Sequence, residues 1–171
     1  VSLENIAQIR SVLGETDIDV FMVPYNLLEP DPFVGGLDVI REQNPGVMVR
    51  SSLYGGLLTG KYPRDHRFTD PLDQRKDWSA EKVAAAVDAL EQFRFLEDVA
   101  GSMTLGAARY PLAWPEASTV VVGTRTLAQA DENFSELAGR PLPPDILELV
   151  QARQTSLGLF NRESRLKDTV R

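Results

Sequence analysis

Gly55, Gly56, Gly60 and Lys61 lie close together in RSSLYGGLLTGKY (50–62), just after the apolar run Val47, Met48, Val49. Glycines without a Cβ let backbone come near a ligand. A lysine ammonium supplies a point charge for a phosphate. The chemistry that this spacing offers is anion binding. The plain alternative is an ordinary turn, with Lys61 an exposed loop charge. A second stretch, STVVVGTRT (118–126), has the same flavour: Gly123, Thr124 and Arg125 follow an apolar run and precede a helical pattern. Phosphate favours a helix N-terminus because its free N–H groups point outward. The plain alternative for Arg125 is a solvated charge at a helix start.

Other chemistries find few residues. The chain has no cysteine, which excludes disulfides, thiolate catalysis and cysteine zinc sites. His66 is the only histidine and sits in a polar stretch, where it is expected to be solvated rather than catalytic. Trp78 and Trp114 read as packing residues, and the acidic residues between 131 and 148 as solvated helix faces. With 25 acidic and 18 basic residues the net charge is −7, so no basic stripe serves a nucleic acid. A local basic pocket for a phosphorylated ligand stays open. No apolar run approaches the roughly 20 residues of a membrane span, and no signal peptide is visible. The expected setting is cytoplasmic, with no membrane partner.

The elements that must position these residues alternate. Residues 2–14 read as a helix capped by Ser2 and ended by Gly14. Residues 18–23 (IDVFMV) read as a strand buried on both faces. A short helix over 36–43 ends at the turn Asn44-Pro45-Gly46, and a strand over 47–49 follows. Residues 63–78 form a long polar loop. A helix capped by Ser79 spans 79–99. Another starts near Thr104 and ends or kinks at Pro111. A strand covers 118–122, then helices cover 126–138 and 144–157. Residues 161–171 read as a frayed polar tail. Alternating strands and helices predict parallel strands in an α/β fold. At 171 residues the chain is too short for a closed eight-stranded barrel, which takes about 250.

DVFMVPYNLLEP, RSSLYGGLLTGKY and STVVVGTRTLAQADENF, in this order and spacing, resemble the C-terminal half of an aldo-keto reductase. The stretch DHRF resembles the loop that often follows LTGKY in bacterial members. The resemblance covers nearly the whole chain. It implies half of a (β/α)8 barrel over residues 1–160, with residues 18–23, 47–51 and 118–122 as its sixth, seventh and eighth strands. It also implies NADPH as cofactor and a carbonyl compound as substrate. By similarity Arg50, Ser51, Leu53, Gly55 and Lys61 contact the cofactor from the seventh strand and its loop. Gly123 belongs to the same cofactor site, Thr124 and Arg125 take the adenosine-side phosphate, and Gln129 and Asn133 approach the adenine with Glu132 nearby. The family's catalytic aspartate, tyrosine, lysine and histidine lie on the first half of the barrel. Tyr25, Lys61 and His66 do not match those positions, so no catalytic residue is expected here.

Two positions depart from the pattern. Met22 stands where a glutamine commonly meets the nicotinamide amide, and a thioether is a weak acceptor only. Arg50 stands where an aromatic often stacks on the ring. Two functional readings follow: the cofactor half of a reductase, inert by itself, or a barrel remnant used for binding or scaffolding. A three-strand sheet leaves open edges and a bare apolar face. The expected partner is an N-terminal half-barrel, another chain or domain, or a second copy.

Overall fold

The structure, a computed structural model, describes residues 1–135 and 140–160. Three parallel strands, β1 (Val20–Pro24), β2 (Gly46–Arg50) and β3 (Ala117–Val120), form one sheet in the order β1-β2-β3. β1 and β2 pair without a shift, Val20 opposite Gly46 and Pro24 opposite Arg50. The β2–β3 pairing shifts after Val47, where the Val47 N–H bonds the Ser118 hydroxyl at 3.0 Å instead of a carbonyl. The ladder then runs past the end of β3, since the Val121 N–H donates to the Val49 carbonyl at 2.7 Å.

Helices make the crossovers that parallel strands require. α1 (Ile6–Glu15) leads into β1; α2 (Asp31–Val34) and α3 (Leu37–Gln43) join β1 to β2. A long path joins β2 to β3: a 3-10 turn over 54–59, a loop, then α4 (Ala80–Leu90), α5 (Phe95–Ala100) and α6 (Met103–Arg109). α7 (Leu127–Ser135) and α8 (Pro144–Ser156) follow β3.

The N-terminal segment differs from its expected helix. Asn5, not Ser2, caps α1, its side chain accepting the Gln8 N–H at 3.0 Å. Residues 1–3 instead run parallel to β1: Met22 N–H donates to the Val1 carbonyl at 2.7 Å, and Leu3 N–H to the Met22 carbonyl at 2.8 Å. The free edge of β1 offers these groups partners that a first helical turn lacks. The expected helix over 79–99 keeps its Ser79 cap, with the Lys82 N–H 3.1 Å from the hydroxyl. It breaks into α4 and α5 at a 3-10 turn over 91–93, where Arg94 pairs with Glu91 and Glu97. Pro111 does end α6, by starting a 3-10 turn. The tail 161–171 and the end of the helix expected over 126–138 lie outside the described residues.

The core lies on one side of the sheet. Phe21, Val23, Val47 and Val49 alternate onto the face covered by helices and are fully buried. The expectation that the first strand is buried on both faces does not hold for this chain. Val20 is 48% exposed, and Met22 and Met48, paired across β1 and β2, are half-buried on the opposite face. A hydrogen-bonded chain locks the helical side. Buried Tyr25 donates to the Tyr110 hydroxyl, Tyr110 donates to Gln154 Oε1 at 3.2 Å, and Gln154 Nε2 donates to the Leu27 carbonyl at 2.9 Å. These bonds tie the end of β1 to α6 and α8 without leaving the buried amide of Gln154 unpaired.

Candidate functional site

The C-terminal end of β2 feeds a turn with unusual backbone. Ser51 (φ 58°), Tyr54 (φ 47°), Gly55 (φ 60°), Gly56 (φ 94°) and Gly60 (φ 71°) are all left-handed. Ser51 and Tyr54 hold a conformation that L-residues avoid, a strain that tends to gather at functional sites. The Leu53 carbonyl organises the turn, accepting Gly56 N–H at 2.8 Å and Leu58 N–H at 3.2 Å. Burial, and then the Glu29 carboxylate that it bonds, push the Tyr54 phenol up.

The side of Gly55 that faces the loop is occupied. A Cβ there would stand 2.6 Å from Trp78 Cη2 and 3.4 Å from Arg75 Cδ. Close approach of protein side chains therefore explains the glycine, beside any approach of a ligand. Arg75 is the hub of this contact. Its Nε and Nη2 hold both oxygens of Asp73 at 2.9 and 2.6 Å, and its Nη1 donates to the Gly55 carbonyl at 2.6 Å and to the Tyr62 hydroxyl at 3.1 Å. Its guanidinium lies 4.0 Å over the Phe68 ring. The fork holds the Asp73 carboxyl well below the usual carboxylate range, with a smaller pull from Arg125. His66 packs between Tyr62 and Phe68, tilted against the first at 4.6 Å and edge-on to the second at 4.7 Å. The stretch 62–78 is thus an ordered aromatic and ionic cluster, where the sequence showed only a polar loop.

At β3 the second turn opens toward solvent. Among the described residues, none beyond its chain neighbours comes within 4 Å of a Cβ placed on Gly123, and Thr124 and Arg125 are exposed. The Thr126 side chain caps α7, accepting the Gln129 N–H at 3.2 Å, and Gln129 Oε1 accepts the N–H of Arg125, one residue before the cap, at 2.8 Å. Asn133, 2% exposed, donates to the Thr124 hydroxyl at 3.3 Å, while its buried Oδ1 has no partner among the described residues. Glu132 accepts from the Ser102 hydroxyl at 3.1 Å and stands 3.7 Å from Lys61 Nζ.

Several of the expected site residues therefore meet. Lys61 from the β2 turn reaches Glu132 on α7, and Thr124, Arg125, Gln129 and Asn133 share the start of that helix. Leu53 packs beside Leu105, Ala108 and Val122. Arg50 and Ser51 stand apart from these contacts. Arg50 donates to the Ser51 hydroxyl at 3.2 Å and pairs with Glu4. Both line a cavity of about 380 Å³ at the ends of β1 and β2, with Glu4, Leu28, Glu29 and Asp31. Among the described residues no cluster of three or more acidic or histidine side chains could hold a metal. Nor is any helix among them long and apolar enough to cross a membrane. Asp73, Arg75 and Ser102 escaped the sequence reading. The only signal for the first two was an aspartate two residues before an arginine in a segment without hydrophobic period.

Known proteins place this arrangement. Among solved structures, the chain is similar to the glycerol dehydrogenase AKR11B4 from Gluconobacter oxydans, at 21% identity and a TM-score of 0.70, over 91% of this chain and 48% of that one. It is also similar to the aldo-keto reductase AKR11C1 from Bacillus halodurans, in apo and holo forms, at 20% identity and a TM-score of 0.62. There the match covers 89% of this chain and 49% or 48% of the other. The chain thus spans about half the length of these structures, and its three strands correspond to part of their barrel. A search of curated proteins gave no significant match. The model of the aldo/keto reductase family matches residues 1–153. A match that takes in all three strands and both turns leaves little of the sequence outside it, and the chain belongs to the aldo/keto reductase family.

Proposed function

We propose that this chain is the cofactor-holding C-terminal half of an NADPH-dependent reductase, which reduces an aldehyde or ketone when the other half of the barrel is in place. The observation that carries the reading is the meeting of the two turns, with Lys61 Nζ 3.7 Å from Glu132. One elongated nucleotide can touch both. The residues present fit such a group. Half-buried Gln129, in the first turn of α7, carries an amide that can meet an adenine edge. The open space over Gly123 and the exposed Arg125 at the start of α7 suit a phosphate.

Lys61, Thr124 and Arg125 would hold phosphates, Gln129, Glu132 and Asn133 the adenine, and Arg50, Ser51 and Leu53 the nicotinamide side. NADPH supplies the hydride when bound. The residues of this chain bind and orient it, which is where much of the barrier reduction in such reactions arises. None of them takes the proton-donating role. Tyr25 is buried against Tyr110, and His66 is packed within the loop cluster.

Titrating the chain with NADPH while following tryptophan emission tests the reading. Saturable quenching by NADPH and weaker quenching by NADH are expected, because a guanidinium fork prefers the extra phosphate. Arg125→Ala should erase that preference. No saturable response to either nucleotide would favour a second reading, a non-catalytic scaffold, to which Met22 lends support.

A further inference from the structure

We infer that the cavity at the ends of β1 and β2 surrounds the nicotinamide ring with net negative charge, and so holds the oxidised, cationic ring more tightly than the reduced, neutral one. The inference rests on the nucleotide reading above. The cavity is open space of about 380 Å³, and the carboxylates of Glu4, Glu29 and Asp31 line it against a single guanidinium, that of Arg50. That guanidinium is already engaged: Nη2 pairs with Glu4, and Nη1 donates to the Ser51 hydroxyl at 3.2 Å. Glu29 accepts from Asn26 Nδ2 at 3.3 Å and from the Tyr54 phenol, neutral donors that leave its charge uncancelled.

The cavity lies within reach of a ligand seated at the β3 turn. Leu53 and Val122, the residue before Gly123, pack against the same pair, Leu105 and Ala108. Ser51, on the cavity wall, is two residues from Leu53, at most about 7 Å of extended chain. The far end of a dinucleotide held at the start of α7 therefore has only Leu53 to pass. When hydride leaves for a carbonyl carbon it carries two electrons, and the ring is left with one positive charge. Fixed carboxylates beside the ring favour the charged form, as they do for any ionising group. A charge set in place before the reaction helps most where charge develops during it. The same lining therefore makes the bound reduced form the stronger hydride donor. Glu4 has a particular part, because it cancels the one cation that would oppose this.

The test measures binding of NADP⁺ and NADPH by titration calorimetry in wild type, Glu4→Gln and Arg50→Gln, with circular dichroism to follow folding. Adenosine 2′,5′-bisphosphate, which carries adenine and the 2′-phosphate but no nicotinamide, is the control ligand. Wild type should bind NADP⁺ more tightly than NADPH, and high salt should shrink the preference. Glu4→Gln leaves Arg50 uncancelled and should lower the preference about threefold. Arg50→Gln should raise it about threefold, as one charge does across a partly solvated cavity. The bisphosphate should bind all three proteins alike. Tighter binding of NADPH by wild type would overturn the inference, and so would variants that shift the preference in the same direction. A change in bisphosphate binding equal to that for the dinucleotides would overturn it in favour of a general effect on the fold. If wild type binds none of the three ligands, the nucleotide reading fails and takes this inference with it. If wild type binds all three and both variants match it, only the inference fails.

Discussion

At the scale of single residues, Tyr110 combines two roles that can be separated by pH. Burial pushes its phenol up to about 12, while its bonds to Tyr25 and Gln154 work weakly in the other direction. A group whose folded value lies above its unfolded value of about 10 stabilises the fold fully below pH 10. That contribution is lost as the pH climbs toward 12. The two-unit difference corresponds to roughly 3 kcal/mol by linkage. Tyr110→Phe removes the ionising group and leaves the Tyr25 hydroxyl and Gln154 Oε1 without their shared partner. Urea unfolding at neutral pH should show a loss of about 1–3 kcal/mol. Between pH 10 and 12 the variant should fall more gently than wild type, and parallel curves would contradict the assignment.

At the scale of elements, two substitutions probe the path from β2 to β3. Ser79→Ala removes the cap of α4 and should cost about 1 kcal/mol, read from the denaturation midpoint. Gly55→Ala meets both an unfavourable left-handed backbone and the Trp78 ring, and should cost more, about 2–3 kcal/mol. A smaller loss at Gly55 than at Ser79 would mean that the turn yields easily. Much of this path was legible in the sequence. Ser79 and Pro111 are local signals whose mechanism needs no distant partner. The bracing of Gly55 was not legible, because Arg75 is twenty residues away and its four contacts follow no period. The 3-10 break at 91–93 was hidden for another reason: Leu90 before it, Phe93 within it and Leu96 after it are all buried in the core, so the apolar stripe runs through unbroken. At the N-terminus, three residues were too few to show strand alternation, and a reasonable capping residue, Ser2, favoured the wrong element.

At the scale of the whole molecule, the sheet is finished on one face only. Val20 and Val121, 48% and 46% exposed, flank the half-buried Met22 and Met48. Apolar surface of this kind drives association when concentrated in a patch. Val20→Lys should reduce concentration-dependent light scattering of the chain and leave its helical circular dichroism intact. A wild-type chain that scatters as a folded monomer at micromolar concentration would count against the need for a covering partner. The resemblance to a barrel was legible from three motifs, while the identity of whatever covers the open face was not, since nothing in these 171 residues has to match it uniquely.

The Tyr25–Tyr110–Gln154 chain has an effect that reaches beyond stability. It fastens the helices to the sheet from behind, entirely with residues of this segment. The seating of α6 and α8 on the sheet is therefore set within this segment, so whatever covers the other face of the sheet can vary without disturbing it.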